Sequence, residues 1–355
     1  PVKYPHIWDA SWFDWVQYDA SIMQPMVRNA GEAMGVYARV NLSNPELPLY
    51  RSSVPVRALH EMEQQLAGPN PGRIAGPTGR PVGFRGLQAP KWPADVLGAV
   101  DPAQVTEGRR LYAELCQSCH LPPVNEKAFW SGSHWQAPNA AGERYLKVPR
   151  HDVGTDPAQF EILRTRTIQV PEFLQVQDMA ERTPGVLCTT GGPTRSITSG
   201  PYAVMLGQVV QRTVDQAYLD QQVPPTEQSE YNGHRPNCLQ APAAYKARPL
   251  DGIWAAAPYL HNGSVPTLDD LLRPVAERPR QFCLGLRDYD PAKVGLQTDC
   301  ADGTFKLDTS IKGNSNSGHE FSAAWRPGAG NPPGLIGRAI SERERLNLLA
   351  YLKTL

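Results

Sequence analysis

One short motif has residue types and a spacing that can carry out chemistry, Cys116-Gln-Ser-Cys119-His120. Two thiols separated by two residues match the separation of the two vinyl groups of haem, across which they can add. The adjacent histidine then lies beneath the ring, where its imidazole can bind the iron. The motif therefore predicts one covalently attached haem c, with Cys116 and Cys119 in thioether links and His120 as the proximal iron ligand.

Two other interpretations of the cysteine pair have less support. Half of a zinc site would need a second Cys or His pair at ligand spacing, and none is evident. A thioredoxin-like redox pair would need a βαβ context, whereas the flanking pattern is helical and Pro122-Pro123 follows. Haem attachment is the interpretation that the flanking residues favour.

The second axial position of such an iron decides its function, because a filled position favours electron transfer and an open one favours small-molecule chemistry. Seven other histidines and six methionines could fill it. His261, in a Pro-rich turn, and His319, flanked by Gly318 on a polar loop, are the two prominent candidates. The other histidines either lie far upstream or resemble ordinary surface or structural residues of loops; they are His6, His60, His134, His151 and His234.

The remaining four cysteines are Cys188, Cys238, Cys283 and Cys300. Haem c is attached on the outer side of the bacterial inner membrane, so the motif predicts a periplasmic or secreted protein in an oxidising compartment. Two disulfides are then more plausible than four free thiols. Of the three possible pairings, we favour the most local one, Cys188–Cys238 with Cys283–Cys300.

Composition excludes some classes of function. The 355 residues carry 35 Lys and Arg against 35 Asp and Glu, so the electrostatic attraction needed for nucleic acid or an anionic membrane is missing. The mean hydropathy is −0.43 and no long apolar stretch predicts a membrane span. With 35 prolines and 30 glycines, long irregular loops should surround the core. Because the first residue is Pro1, we expect a processed chain or a piece of a longer one.

The elements that must position the motif are helical. An apolar face of Val105, Leu111, Tyr112 and Leu115 predicts a helix that ends at the motif. A second helix over 341–353 begins with a good N-cap and should pack across the first one, as in a cytochrome c core. The sequence therefore predicts a mainly α fold with a cytochrome c-type haem domain and long Pro/Gly-rich loops. Further helices are predicted around 26–37, 56–66, 157–166 and 202–220, with turns at 69–72 and 76–79.

Several segments together resemble a known family. The run YKARPLDGIWAAAPYLHNGS at 245–264 resembles the second haem domain of the bacterial dihaem cytochrome c peroxidase superfamily. The segments DVGTD at 152–156, GNSNSGH at 313–319 and LAYLKTL at 349–355 are most similar to its rubber-oxygenase branch. The resemblance is good over 101–355 and looser over 1–100, so we divide the chain into a cytochrome c-like haem domain at 101–355 and an N-terminal segment at 1–100.

This resemblance implies a ligand set. The proximal and distal histidines of the family's C-terminal haem correspond to His120 and His319, and His261 corresponds to a second-shell or inter-haem residue. The family carries two CxxCH motifs, with the catalytic haem on the N-terminal one, whereas this chain has one motif. Residues 1–100 would then be the inter-haem region of a longer dihaem protein. Calcium occurs between the domains of relatives, but no EF-hand-type acidic loop supports it here.

Three hypotheses follow for the function. The first is a bis-His electron-transfer haem domain, which would work with a redox partner protein or a second haem domain. The second is part of a dihaem oxidative enzyme, a peroxidase or a rubber-type dioxygenase, whose catalytic haem lies outside this chain. The third, a haem-bearing structural or docking module, has no positive feature in the sequence beyond the loops.

Overall fold

A computed structural model describes residues 3–67, 87–189, 195–328 and 330–355. Within these ranges the chain forms ten α-helices separated by long connections. They are α1 Pro25–Val36, α2 Val56–Ala67, α3 Ala94–Leu97, α4 Pro102–Leu115, α5 Gln117–His120, α6 Ala158–Thr165, α7 Tyr202–Asp220, α8 Pro225–Tyr231, α9 Leu268–Leu271 and α10 Glu342–Leu352. The predicted helices are therefore found at α1, α2, α4, α6, α7 and α10, while the turns predicted at 69–72 and 76–79 lie outside the described residues.

Between the helices the described residues form thirteen short strands of two to four residues. They are β1 Arg150–His151, β2 Thr167–Gln169, β3 Ala180–Thr183, β4 Val186–Cys188, β5 Ser199–Pro201, β6 Cys238–Gln240, β7 Tyr245–Lys246, β8 Gln281–Leu284, β9 Tyr289–Asp290, β10 Gly295–Leu296, β11 Phe305–Asp308, β12 Glu320–Ser322 and β13 Leu335–Arg338. The strands β3, β4 and β6 make a three-stranded antiparallel sheet. The others pair two by two, and all of these pairs are antiparallel except β12 with β13.

The prediction of a mainly α fold is wrong. Helices hold 33% of the residues and strands hold 16%, distributed over many small sheets. The backbone N–H and C=O groups of long irregular segments still need hydrogen-bond partners. Here neighbouring segments hydrogen-bond to each other over a few residues, and these stretches are the short strands. Frequent Pro and Gly limit each ladder to a few residues, which is too short for a readable alternation of apolar and polar side chains.

The helix that leads to the haem-attachment motif packs against the C-terminal helix, as the sequence predicts. The two helices touch at Gly108 of α4, where an added Cβ would lie 2.0 Å from the carbonyl oxygen of Asn347 in α10. Helix α10 begins with a capping box in which Ser341 and Glu344 satisfy each other's backbone N–H groups. The apolar cluster around this crossing includes Leu111, Tyr112, Tyr259, Leu268, Phe321, Leu348 and Leu352.

The aromatic residues near the N-terminus serve mainly as packing. Trp12 and Phe13 are buried in a cluster with Phe129, Trp130 and Trp135. These rings fill an apolar core of their own. The division of the chain at residue 100 stays a prediction.

Both favoured disulfides are present. Cys188 is bonded to Cys238, and Cys283 is bonded to Cys300, while Cys116 and Cys119 are free. The first bond joins the adjacent strands β4 and β6, and the second fixes the loop that follows β8. No helix among the described residues has the length and apolar character needed to cross a bilayer.

Candidate functional site

The attachment motif lies where two helices meet. Helix α4 ends at Leu115, Cys116 follows in a non-helical conformation, and the single turn α5 carries Cys119 and His120. The Tyr112 hydroxyl donates a hydrogen bond of 2.7 Å to the carbonyl of Leu121 and so ties this turn to the preceding helix. Burial raises the pKa of the Cys116 thiol to about 12. The two free thiols are thus held on a fixed turn, in an enclosed and largely apolar place.

The motif opens onto a cavity of about 230 Å³. Five residues that the sequence analysis singled out line it together, and most of its other lining side chains are apolar. The five are Cys116, Cys119, His120, His261 and His319. The structure therefore brings residues as far apart in the chain as Cys116 and His319 together in one cavity.

The rings of His120 and His319 lie at a separation that suits one iron between them, with their planes tilted by 57°. Their ring centroids lie 6.2 Å apart. A metal–imidazole nitrogen bond is about 2 Å long, and the ring centre lies roughly 1 Å beyond that nitrogen, so two axial imidazoles on one metal have centres about 6 Å apart. The spacing fits an iron bound on both faces.

Both imidazoles are prepared to act as ligands. Nδ1 of His120 lies 2.7 Å from the carbonyl oxygen of Arg248. Because a carbonyl can only accept, Nδ1 carries the proton and Nε2 keeps the lone pair that a metal needs. Burial, the neighbouring His120 and Arg278 lower the pKa of His319 to about 3, so this ring is neutral. These residues fit haem c.

A buried arginine holds the loop that carries His319. Nη1 of Arg278 donates to the carbonyls of Asn316 and Gly318 at 2.6 and 2.8 Å. Its Nη2 donates to Leu271 and to His319 itself at 3.0 and 3.1 Å. One guanidinium thus satisfies four main-chain carbonyls around the candidate ligand, a geometry that lysine cannot reproduce.

Three glycines let the backbone approach closely beneath the same loop. An added Cβ on Gly318 would lie 2.3 Å from the Val153 oxygen, and one on Gly154 would lie 2.4 Å from Cα of Gly334. The N–H of His319 donates to Val153 at 2.7 Å. The DVGTD segment therefore supports the loop of His319, and Gly154 and Gly318, both at positive φ, are required for it.

The 245–264 segment supports this loop from another side. Nδ2 of Asn262 donates to the carbonyls of Gly313 and Ser315, at 3.2 and 2.9 Å, and the Ser264 hydroxyl also donates to Ser315. Asp156 accepts hydrogen bonds from the N–H groups of Gly313 and Ser315. The segments that carry the family resemblance thus share one structural task, which is to position residues 313–319.

His261 is placed beside the cavity and is not paired with His120. Its ring stacks on Tyr245 with centroids 3.9 Å apart and meets the edge of Tyr18 at 6.3 Å. It also lines a second, larger cavity next to α1 and α7. Burial lowers its pKa to about 4. This position agrees with a second-shell or inter-haem role, which stays a prediction.

The remaining candidates divide between the cavity and other places. His6 and His151, which the sequence analysis set aside, line the cavity as well. His60 instead stacks on Tyr231, and His134 and His234 form local loop contacts. No methionine is among the described residues that line the cavity. Nor do the described residues contain a group of three or more His, Cys, Asp or Glu side chains suited to a metal ion, so calcium gains no support.

Sequence reasoning missed Arg278, His6 and His151. The signal for Arg278 was weak, because a single arginine between Pro-rich turns resembles any surface cation. His6 could not be connected with the motif because the intervening hundred residues contain no pattern that fixes their path. Tertiary packing decides which distant residues meet at the cavity, and the spacing of residues along the sequence does not encode that packing.

Comparison with known proteins supports a cytochrome assignment for part of this site. A family model described as RoxA-like, cytochrome c-like matches residues 244–283, which include His261 and Arg278. The match supports the resemblance to the rubber-oxygenase branch, and it does not extend to the dihaem peroxidase superfamily as a whole. A cytochrome c-like domain implies haem c and suggests a c-type cytochrome role.

Two proteins of Sinorhizobium fredii (strain NBRC 101917 / NGR234) are similar to this chain. Uncharacterized protein y4iJ is 50% identical over 360 residues, which cover 100% of this chain and 55% of that protein. Uncharacterized protein y4iM is 58% identical over 66 residues, covering 19% of this chain and 15% of that protein. The chain thus spans about half the length of the first relative.

Proposed function

We propose that this chain is a periplasmic electron-transfer domain with one haem c, which is bound through Cys116 and Cys119 and ligated by His120 and His319. The observation that carries the proposal is the 6.2 Å separation of the two imidazole centroids in the cavity that also holds both free thiols. An iron with both axial positions filled exchanges single electrons with little rearrangement and leaves no position for dioxygen or peroxide.

The residues around the cavity have separable tasks. The haem supplies a ferric–ferrous couple when bound. The carbonyl of Arg248 fixes the tautomer of His120, and Arg278 with the glycine crossing fixes the position of His319. Apolar side chains of α4, α9 and α10 form one wall of the cavity, and an apolar surrounding lowers the reorganisation energy of electron transfer. The role of this chain is therefore to hold two ligands rigidly beside a largely apolar wall.

The ligand assignment is tested by replacing His319 with alanine. The unaltered protein should show a low-spin ferric spectrum, and its reduced form should not change when CO is added. The His319→Ala variant should become high-spin and bind CO at close to one equivalent, because one axial position is open. His134→Ala is the matched control, since this loop histidine does not line the cavity.

Haem content, measured as the pyridine haemochrome, separates the possible failures. Absence of covalent haem from the unaltered protein would overturn the whole proposal. If haem is present but His319→Ala keeps a low-spin spectrum without CO binding, then His319 is not the ligand, and the other histidines that line the cavity must be examined, namely His6, His151 and His261. CO binding by the unaltered protein would mean an open iron and would favour oxidative chemistry.

A second candidate is that the chain forms the electron-transfer half of a dihaem peroxidase or rubber-type dioxygenase. The observation in its favour is that y4iJ is much longer than the matched region, which leaves room for another haem domain. Its partner would then be a covalently linked haem domain instead of a separate redox protein. The test is CO binding and peroxide or dioxygen turnover by the longest product of the gene, compared with this chain alone.

A further inference from the structure

One part of the cavity wall carries positive charge without a facing carboxylate. Lys3, Lys246 and Arg248 all line the cavity, whereas no Asp or Glu is among the described residues that line it. Arg248 pairs with Asp9 outside the lining, but Lys3 and Lys246 form no ion pair among the described residues, and burying such cations costs free energy. An anionic ligand in this cavity would remove that cost.

Contacts with neighbouring protein groups fix the positions of Arg248 and Lys246. Nη2 of Arg248 pairs with the buried Asp9, while its Nε has no hydrogen-bond partner among the described residues. Nζ of Lys246 donates to the carbonyl of Trp15 at 3.2 Å and lies 4.5 Å from the centre of the Phe13 ring. Both side chains are therefore fixed by protein contacts that leave their charge only partly compensated.

Neutral donors accompany these cations. The Tyr18 hydroxyl and Nε2 of His151 are buried, line the cavity and have no hydrogen-bond partner among the described residues. Nζ of Lys3 donates to the carbonyl of Ala256 and lies over the Tyr259 ring. Buried polar groups normally have partners, so the Tyr18 hydroxyl, and Nε2 of His151 in the tautomer that protonates it, indicate a ligand that can accept hydrogen bonds.

The pKa values of the two lysines also favour an anionic ligand in this cavity. Burial and the nearby Arg248 lower the pKa of Lys3 to about 8 and lower that of Lys246 well below its ordinary value. Three carboxyl groups act on these cations from outside the cavity lining, namely Asp9, Asp19 and Asp251. Of these, Asp9 pairs directly with Arg248, so the two lysines have no carboxylate contact comparable to it.

The rest of the cavity has the opposite character. Near the thiols its wall is built from apolar side chains of α4, α9, α10 and the strands β12 and β13: Leu115, Leu268, Leu271, Phe321, Ile336, Leu348 and Leu352. Haem has the same polarity, since the edge that forms thioethers is apolar and the opposite edge carries two propionates. The lining of the cavity thus supplies both the apolar contacts and the cations that a single haem can use.

We propose that Lys3, Lys246 and Arg248, with the Tyr18 hydroxyl, bind the two haem propionates and so fix the orientation of the haem and raise its potential. This inference rests on the proposed function, because it requires a haem joined to Cys116 and Cys119. The buried cations disfavour the ferric state, which carries one more positive charge than the ferrous state.

The test compares Lys246→Met with Lys306→Met, whose lysine is exposed on β11. Midpoint potentials are measured by spectroelectrochemistry at one pH, and propionate bending modes by resonance Raman spectroscopy. Lys246→Met should shift the reduction equilibrium about tenfold toward the ferric form, a fall of about 59 mV for one electron. Its propionate modes should shift as well, while Lys306→Met should leave both readouts unchanged.

Tyr18→Phe keeps the inference testable if Lys246→Met does not fold. It removes one hydroxyl and should shift a propionate mode without changing the axial ligands. Unchanged potential and propionate modes, in variants with full haem content, would overturn the propionate assignment and leave the ligand assignment intact. A chain without covalent haem would instead overturn the proposed function, so the two failures are distinguishable.

Discussion

Arg278 holds the loop that carries His319, the proposed distal iron ligand. Its guanidinium satisfies four carbonyls around residues 271 and 316–319, and it is nearly fully buried. Arg278→Lys should leave several of these carbonyls without donors, because an ammonium group cannot reach them in the same plane. We expect a loss of about 3 kcal/mol in the free energy of unfolding, from the desolvation penalties of unpaired groups.

The same substitution should loosen His319, which gives a readout that simple destabilisation does not. Under conditions where Arg278→Lys remains folded, its reduced form should bind CO at a detectable fraction of sites. Arg280→Lys, at an exposed neighbouring position, is the control and should match the unaltered protein in urea denaturation and in CO binding. A folded Arg278→Lys protein that excludes CO completely would contradict the positioning role.

Single residues also differ in whether their roles could be predicted from the sequence. Cys116, Cys119 and His120 could be predicted as a haem-attachment site because that chemistry depends on local spacing, and this assignment stays a prediction. Both disulfides were predicted correctly because the most local pairings are the actual ones. His319 was assigned through family resemblance, since nothing in the spacing connects it with His120. The contacts of Arg278 and the charged wall depend on how distant loops fold together, and no local pattern encodes that.

At the scale of elements, the position of the attachment motif depends on one helix crossing. An added Cβ at Gly108 would lie 2.0 Å from the Asn347 carbonyl oxygen and 2.7 Å from Cβ of Tyr351. Gly108→Ala should therefore force α4 and α10 apart and cost about 1–3 kcal/mol in unfolding free energy, although alanine favours helix by up to about 1 kcal/mol. Because α4 leads into Cys116, the haem absorption bands should shift as well.

Gly35→Ala is the matched control for this crossing. Gly35 also lies within a helix, and an added Cβ there would meet nothing within 4 Å. Thermal and urea denaturation should show Gly35→Ala to be as stable as the unaltered protein, or more stable by about 0.5–1 kcal/mol. Equal behaviour of the two variants would mean that the crossing can relax and does not fix the motif.

Long helices and short strands differ in how far they can be predicted. Helices such as α7 and α10 have apolar faces repeated over several turns, so periodicity finds them. Most of the described strands pair with a distant partner, as β1 does with β7 across almost a hundred residues, whereas β3 pairs with β4 and β9 with β10 across only a few residues. A segment of two residues has no period of its own, and the mainly α prediction was wrong for this reason.

At the scale of the whole molecule, the net charge is zero, but the pKa values of a few carboxyl groups are strongly shifted. These groups should govern how the free energy of unfolding depends on pH. Burial opposes ionisation of Asp9, but Arg248 and His6 outweigh it and lower its pKa to about 2. Asp9 therefore stabilises the fold above its unfolded pKa of about 4, and this contribution is lost as the pH falls toward 2.

Asp251 should act in the opposite direction. Burial and the charge of Asp9 raise its pKa to about 7, and its Oδ1 has no hydrogen-bond partner among the described residues. The folded chain thus keeps a proton that the unfolded chain releases near pH 4. The free energy of unfolding should therefore fall as the pH rises from 4 to 7, by at most about 1.4 kcal/mol per pH unit.

The substitution Asp251→Asn removes this pH dependence. Urea denaturation from pH 4.5 to 7.5 should show the variant gaining on the unaltered protein as the pH rises. Asp302→Asn, on an exposed turn, should run parallel to the unaltered protein. Parallel curves for Asp251→Asn as well would mean that this carboxyl is already ionised in the fold, with Arg248 as its compensating charge.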